Sequence, residues 1–110
     1  VQTCALPIYG FDNVGSAGPV THLACIDPRT GSRKWQELRF GKGNLTAADG
    51  KLFVITITGE LVVVRANSER FEVLGRRPLL EKTRTAPAIS KGRLFARDDH
   101  DIVCVDVRQP

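Results

Sequence analysis

The sequence is short of aromatic residues, of long apolar runs and of any stretch with helical periodicity. Aromatic side chains make up 6% of its 110 positions and are spread along the chain. They are too few and too dispersed to form a platform on which nucleic-acid bases stack. No apolar run reaches the ~20 residues of a membrane-spanning helix. Lys and Arg outnumber Asp and Glu by 16 to 12, for a net charge of +4, yet no block of five like charges occurs. Arg29, Arg33, Lys34, Arg39, Lys51, Arg65, Arg76, Arg77, Lys82, Arg84, Lys91, Arg93 and Arg97 read as solvated strand faces and loop tips, not as a nucleic-acid footprint. No nucleophile is set beside a His and an acid. No glycine-rich loop has the form that cradles phosphate, and no Cys pair has zinc-ligand spacing.

What is present is one domain's worth of ordinary globular composition. Val1 to Ile8 read VQTCALPI, which resembles the in-frame translation of a widely used short-read sequencing adapter. We set residues 1–8 aside from the fold, as one does a non-native scar. Cys4 goes with them, and the true N-terminus, with any signal or anchor, is expected to lie upstream.

From residue 9 the chain reads as strand after strand. Tyr9 to Asp12 is a strand tail, and the Gly-, Ser- and Pro-containing run from Asn13 to Pro19 a loop. Strands follow at Thr21–Asp27 and Lys34–Leu38. The tight turn between them has Pro28 to preset φ and Gly31 to take a positive one. Leu45–Ala48 and Lys51–Ile57 flank Asp49-Gly50, the signature of a type I′ hairpin. Glu60–Ala66 returns after Thr58-Gly59. Phe71–Gly75 is the next strand, and a longer link from Arg77 to Thr85 contains Pro78. Ala88-Ile89, Arg93–Arg97 and Asp101–Asp106 complete the series. Leu52-Phe53-Val54-Ile55 and Leu61-Val62-Val63-Val64 do not alternate, so both strands are expected to be covered on two faces.

The chain repeats. Leu45–Phe53 aligns with Pro87–Phe95 at an offset of 42 residues, so that Gly50, Lys51, Leu52 and Phe53 fall on Gly92, Arg93, Leu94 and Phe95. Glu60–Val64 aligns with Asp101–Val105 at 41, and Leu61 and Val73 align with Leu23 and Trp35 at 38. A period of about 40 to 45 residues with four strands each is that of β-propeller blades. The fold class expected is all-β, a partial propeller of about two and a half blades of four-stranded antiparallel sheets, cut from the C-terminal part of a longer ring. Blade 1 would be partial over 9–38, blade 2 complete over 45–76 and blade 3 partial over 86–107.

Cys25-Ile26-Asp27-Pro28-Arg29-Thr30-Gly31-Ser32-Arg33-Lys34-Trp35 resembles the tryptophan-docking motif of the quinoprotein-like, or PQQ-like, propeller family, A-x-D-x-x-T-G-K-x-x-W. Asp27, Thr30, Gly31 and Trp35 fall on family positions, while Cys25 replaces the Ala and Ser32 the Lys. The second blade has lost the motif, and the last keeps only Cys104 and Asp106. The wording of Gly43 to Gly59 is similar to bacterial proteins with such repeats, among them BamB-like relatives of the lipoprotein propeller that assists outer-membrane β-barrel assembly. The resemblance implies that Trp35 docks between blades and that Asp27 and Thr30 bond turn amides. It also implies a non-catalytic propeller in the periplasm or secreted, serving as a protein-interaction scaffold and monomeric when whole. The alternative it carries is a piece of a PQQ-dependent quinoprotein dehydrogenase, in which pyrroloquinoline quinone and calcium sit near the axis. The vicinal Cys pair and calcium-ligand pattern of those enzymes do not occur here, so no cofactor is assigned to these residues.

Three other features have residue types suited to chemistry. Asp98-Asp99-His100-Asp101 offers metal-ligand side chains, but in a hairpin turn adjacent side chains diverge, and it reads as a polar turn. His22, at a strand start, reads as exposed or satisfied locally. Cys25 and Cys104 hold the same slot two blades apart. With sheets stacked ~10 Å apart they would be separated by ~20 Å, beyond the ~7 Å between Cα atoms that a disulfide allows. Both are expected to be free, buried thiols. No catalytic, cofactor-binding or metal residue is therefore assigned.

Overall fold

The computed structural model describes residues 7–14 and 20–108. Cys4 and most of the adapter-like segment lie outside the described residues, as does most of the first loop. Within them there are ten strands and no helix: β1 (Ile8–Val14), β2 (Val20–Ile26), β3 (Arg33–Glu37), β4 (Gly43–Ala48), β5 (Lys51–Thr56), β6 (Glu60–Arg65), β7 (Val73–Pro78), β8 (Ala88–Ser90), β9 (Arg93–Arg97) and β10 (Ile102–Asp106). Each corresponds to a strand expected from the sequence. Ile8, set aside with the adapter-like residues, pairs with Ile26 in β1.

The chain forms two compact units. The first holds the residues up to Lys42 together with Asn67–Phe71. Its sheet is antiparallel in the order β1-β2-β3. Cys25 in the middle strand faces Tyr9 on one side and Trp35 on the other, and Leu23 faces Phe11 and Glu37. Leu23, Ala24 and Cys25 are all buried. Consecutive residues point to opposite faces, so β2 is covered on both.

The second unit runs over Gly43–Ala66 and from Glu72 onward. It contains a four-stranded sheet, β4-β5-β6-β7, and a three-stranded one, β8-β9-β10. Asp49 and Gly50 both have positive φ (52° and 70°), as do Lys91 and Gly92 (51° and 76°), which is the type I′ geometry read from Asp-Gly. The sequence repeat is a structural repeat. The amide of Ala66 donates to the Gly50 carbonyl and that of Val107 to the Gly92 carbonyl, each at 2.9 Å.

Leu52, Phe53, Val54 and Ile55 are buried, as are Leu61, Val62 and Val64. The non-alternating strands are thus covered on both faces. One core lies between the two sheets, where Phe53, Ile55 and Leu61 meet Leu94 and Ala96, with Val63, Leu79, Leu80, Ile89 and Val103 at its margin. Sheets packed this way hold their inner side chains in a layer about 10 Å thick.

β7 departs from expectation. The sequence suggests Phe71–Gly75, whereas the strand runs Val73–Pro78 and carries a bulge, Leu74 being the extra residue between the pairs Val73–Val64 and Gly75–Val63. Such a bulge leaves no mark on periodicity. Pro78 therefore ends a strand opposite Glu60 and does not lie in the link, which starts at Leu79. On an edge strand the missing proline N–H is tolerated. The link then crosses the β5–β6 turn, with the amides of Leu79 and Leu80 both donating to the Gly59 carbonyl at 3.1 Å. Gly59 has φ +89°, and a Cβ there would lie 2.1 Å from the Leu80 carbonyl oxygen. Only glycine fits.

Cys104 corrects the second cysteine expectation. Both thiols are free, but only Cys25 is buried and Cys104 is exposed. The row Ala88–Phe95–Cys104 is the repeat of Thr46–Phe53–Val63. Phe53 is covered by the next sheet, whereas Phe95 is 40% and Ile102 77% exposed. The slot is the same in the repeat; the cover is not.

Candidate functional site

The Asp27–Trp35 segment is a hairpin loop built by its own polar atoms. The Gly31 amide donates to the Asp27 carbonyl at 2.7 Å, and the Asp27 amide donates to Ser32 O at 2.9 Å. The Asp27 carboxylate accepts the Arg29 amide at 2.9 Å. That bond first, and the Arg29 side chain second, hold the carboxyl below the usual carboxylate range. Thr30 Oγ1 accepts the Ser32 amide at 3.2 Å. Gly31 supplies the left-handed residue, φ 76°.

The loop returns the chain so that Trp35 lies opposite Cys25. Its indole is nearly buried, and Nε1 donates to the Asn67 carbonyl at 2.5 Å. Its ring centroid is 6.0 Å from Tyr9 and 5.3 Å from Phe71. Phe71 in turn meets Phe40 edge-on at 6.1 Å, and Phe40 meets Phe11 at 6.0 Å. The aromatics that look dispersed in sequence are thus gathered: five of the seven (one Trp, one Tyr, five Phe) touch in one continuous series. Such tilted and edge-on pairs are the favoured geometries. The available signal was Tyr9 and Phe11 at i, i+2, on one face of a strand. Beside them, burial pushes the Cys25 thiol and the Tyr9 hydroxyl up.

His22 is half-buried, and its Nδ1 accepts the Arg39 amide at 3.0 Å. In the Asp98–Asp101 segment the four side chains do not converge. Asp98 alone is buried. Its Oδ1 accepts the amides of His100 (2.8 Å) and Asp101 (2.7 Å), and its Oδ2 the amide of Glu81 (2.9 Å). Those three amides, with Glu81's the strongest, hold its pKa at about 2. Asp98 thus fastens the β9–β10 turn to the link after β7.

The same turn and link border an open cleft of about 240 Å³ lined by Lys82, Thr83, Arg84, Thr85, Arg97, Asp98 and Asp99. Thr83 is buried, and its hydroxyl donates to the Arg97 carbonyl at 2.6 Å. The Thr85 hydroxyl donates to the same oxygen at 3.1 Å. Asn44 Nδ2 donates to the Arg84 carbonyl and Thr46 Oγ1 to that of Pro87, which ties β4 to this segment. The sequence displays the cations but not that they share a cleft, since Arg97 and Lys82 are brought together only by the sheet.

No group of three or more His, Cys, Asp or Glu gathers to hold a metal ion among the described residues, and the Asp98 oxygens are taken by amides. These residues do not fit a quinone-associated cation. No helix among the described residues is long and apolar enough to cross a membrane.

Antiparallel sheets of three and four strands, repeating at about 40 residues, define the class: the chain is all-β and forms part of a β-propeller. It is similar in structure to a europium-containing methanol dehydrogenase, with a TM-score of 0.62 at 18% sequence identity, over 84% of this chain and 18% of that one. The chain therefore spans under a fifth of the length of that neighbour. At this identity the likeness is one of fold. No family model matches the chain, and no curated protein does.

Proposed function

We propose that the chain is a stretch of a PQQ-like repeat propeller that serves as a non-catalytic protein-interaction scaffold in the bacterial cell envelope, akin to BamB-like propellers. Its three sheets are read as consecutive blades, with residues 1–8 set aside as adapter-derived. The protein is read as periplasmic or secreted and monomeric when whole. Its partners are proteins, not nucleic acid.

One observation carries the reading: the polar atoms of the motif residues that match the family are engaged in building the chain. The Asp27 carboxylate and the Thr30 hydroxyl bind amides of their own loop, and Trp35 Nε1 binds a backbone carbonyl. What the motif supplies is a rigid frame on which loops are displayed. Binding residues are commonly carried on such loops.

The second reading is a stretch of a quinone-dependent dehydrogenase, and the fold likeness to a methanol dehydrogenase favours it. The experiment that separates them is a titration of the intact protein with pyrroloquinoline quinone and calcium, followed by quinone absorbance and alcohol-dependent dye reduction. The scaffold reading expects neither stoichiometric uptake nor turnover. Both together would replace it with the dehydrogenase.

A further inference from the structure

We propose that the cleft between the link after β7 and the β9–β10 turn is a docking site for an acidic, extended segment of a partner protein, which deepens the scaffold reading and rests on it.

The first argument is unbalanced charge. Lys82, Arg84 and Arg97 line the cleft and are exposed. None of the ion pairs among the described residues involves any of the three. Three other cations of the unit pair with acids, Arg65 with Glu72, Arg76 with Glu60 and Arg108 with Asp106, whereas among the described residues Lys51, Arg77, Lys91 and Arg93 form no ion pair but do not share a cleft. Of the two acids on the cleft wall, Asp98 has both carboxylate oxygens occupied by backbone amides. Asp99 is left as the single opposing carboxylate with no such engagement. Glu81 and Asp101 line the neighbouring hollow beyond Asp98, not this one. The cleft thus presents three exposed cations against two carboxylates, the exposed Asp99 and the buried but ionised Asp98, a net charge of +1.

The second argument is preorganisation. The buried Thr83 and its neighbour Thr85 both clamp the Arg97 carbonyl, and Asn44 holds the Arg84 carbonyl. The backbone carrying two of the cations is therefore fixed from the inside, which lowers the ordering cost of binding. Guanidinium groups bind carboxylates in a two-pronged fashion. The cleft is half open to solvent, not an enclosed cavity, so it suits side chains presented along a segment better than a small molecule, which is usually largely enclosed when bound. Rim charges of this kind act mainly on association rate and are sensitive to salt.

The test is fluorescence anisotropy of a fluorescein-labelled oligo-glutamate peptide with the intact protein at low ionic strength. Saturable binding is expected, weakening at least tenfold in Arg84→Glu and Arg97→Glu and about threefold in the neutral Lys82→Gln. Arg93→Glu, at the far end of β9, removes the same net charge and is expected to leave binding within a factor of two. Circular dichroism and urea midpoints of each variant confirm that it is folded. Absence of saturable binding would overturn the proposal. So would equal weakening by Arg93→Glu, which would reduce the effect to net charge, or displacement of the peptide by citrate at matched carboxylate concentration, which would make the cleft a small-anion site. Quinone uptake read on the same sample separates the two levels. Peptide binding with quinone turnover unseats the scaffold but keeps the cleft, and neither peptide binding nor quinone uptake removes the cleft alone.

Discussion

Replacing Trp35 with Ala tests the frame at its most loaded point. The indole is only 9% exposed. A tryptophan buries ~150–250 Å², which at ~25 cal/mol per Å² corresponds to about 4–6 kcal/mol on transfer. Measured truncations of buried aromatics to Ala run at ~3–5 kcal/mol, and about 4 is the value we adopt. The Ala variant gives up the packing on Tyr9 and Phe71 and the hydrogen bond from Nε1 to Asn67 O. Trp35→Phe keeps most of the ring packing and forgoes the hydrogen bond, so it should cost ~1–2 kcal/mol. In urea, with a slope of ~2 kcal/mol per molar, the Ala variant should melt about 2 M earlier and the Phe variant by up to about 1 M. The intact protein is melted with far-ultraviolet circular dichroism as the signal, because the variants lack the only tryptophan of this chain. A midpoint for Trp35→Ala within ~0.3 M of wild type, well inside the shift expected from that slope, would refute docking. A Phe variant as weak as the Ala variant would refute the role given to ring packing.

Three further outcomes are expected. Asp98 is held at about 2 from an ordinary 3.8, so its contribution is complete above pH ~4 and is lost as pH falls through 2; in Asp98→Asn an acid titration should lose that part of the slope, and an unchanged acid profile would count against the three amide bonds. Gly59→Ala should destabilise by more than ~3 kcal/mol, because its Cβ meets the backbone oxygens of Leu80 and Glu81, whereas Gly50→Ala, with φ +70° but open space around it, should cost only ~1–2 kcal/mol; equal melting temperatures for the two would show that the link does not cross that turn. Cys104 should react with maleimide in the native chain while Cys25, buried and with its pKa raised by that burial, reacts only on unfolding. Peptide mapping by mass spectrometry distinguishes them, and equal rates would contradict the burial.

Local chemistry carried most of the fold into the sequence. Asp49-Gly50 specified its turn because few residue pairs tolerate two positive φ values, and Lys91-Gly92 was legible through its repeat. Leu52–Ile55 announced two covered faces by refusing to alternate. What was not legible depended on partners far along the chain. The β7 bulge at Leu74, opposite Val63 and Val64, is a choice of register that depends on the facing strand. The exposure of Cys104 depends on what lies over a sheet, which no property of Cys104 encodes. The aromatic series from Tyr9 to Phe71 and the cleft shared by Lys82, Arg84 and Arg97 are non-local in the same sense. Each member is visible in the sequence, and only the folded sheets reveal the company it keeps.

The uncovered Phe95 row has a consequence for how the molecule comes apart. In a stack of like sheets, stability divides into what each layer contributes alone and what each interface adds. β4-β5-β6-β7 has buried residues facing both ways, while β8-β9-β10 holds on through Leu94 and Ala96 and leaves Phe95 and Ile102 in water. Within this unit the amides of β8-β9-β10 are therefore expected to exchange before those of β5 and β6, and any cover placed over Phe95 would slow that exchange.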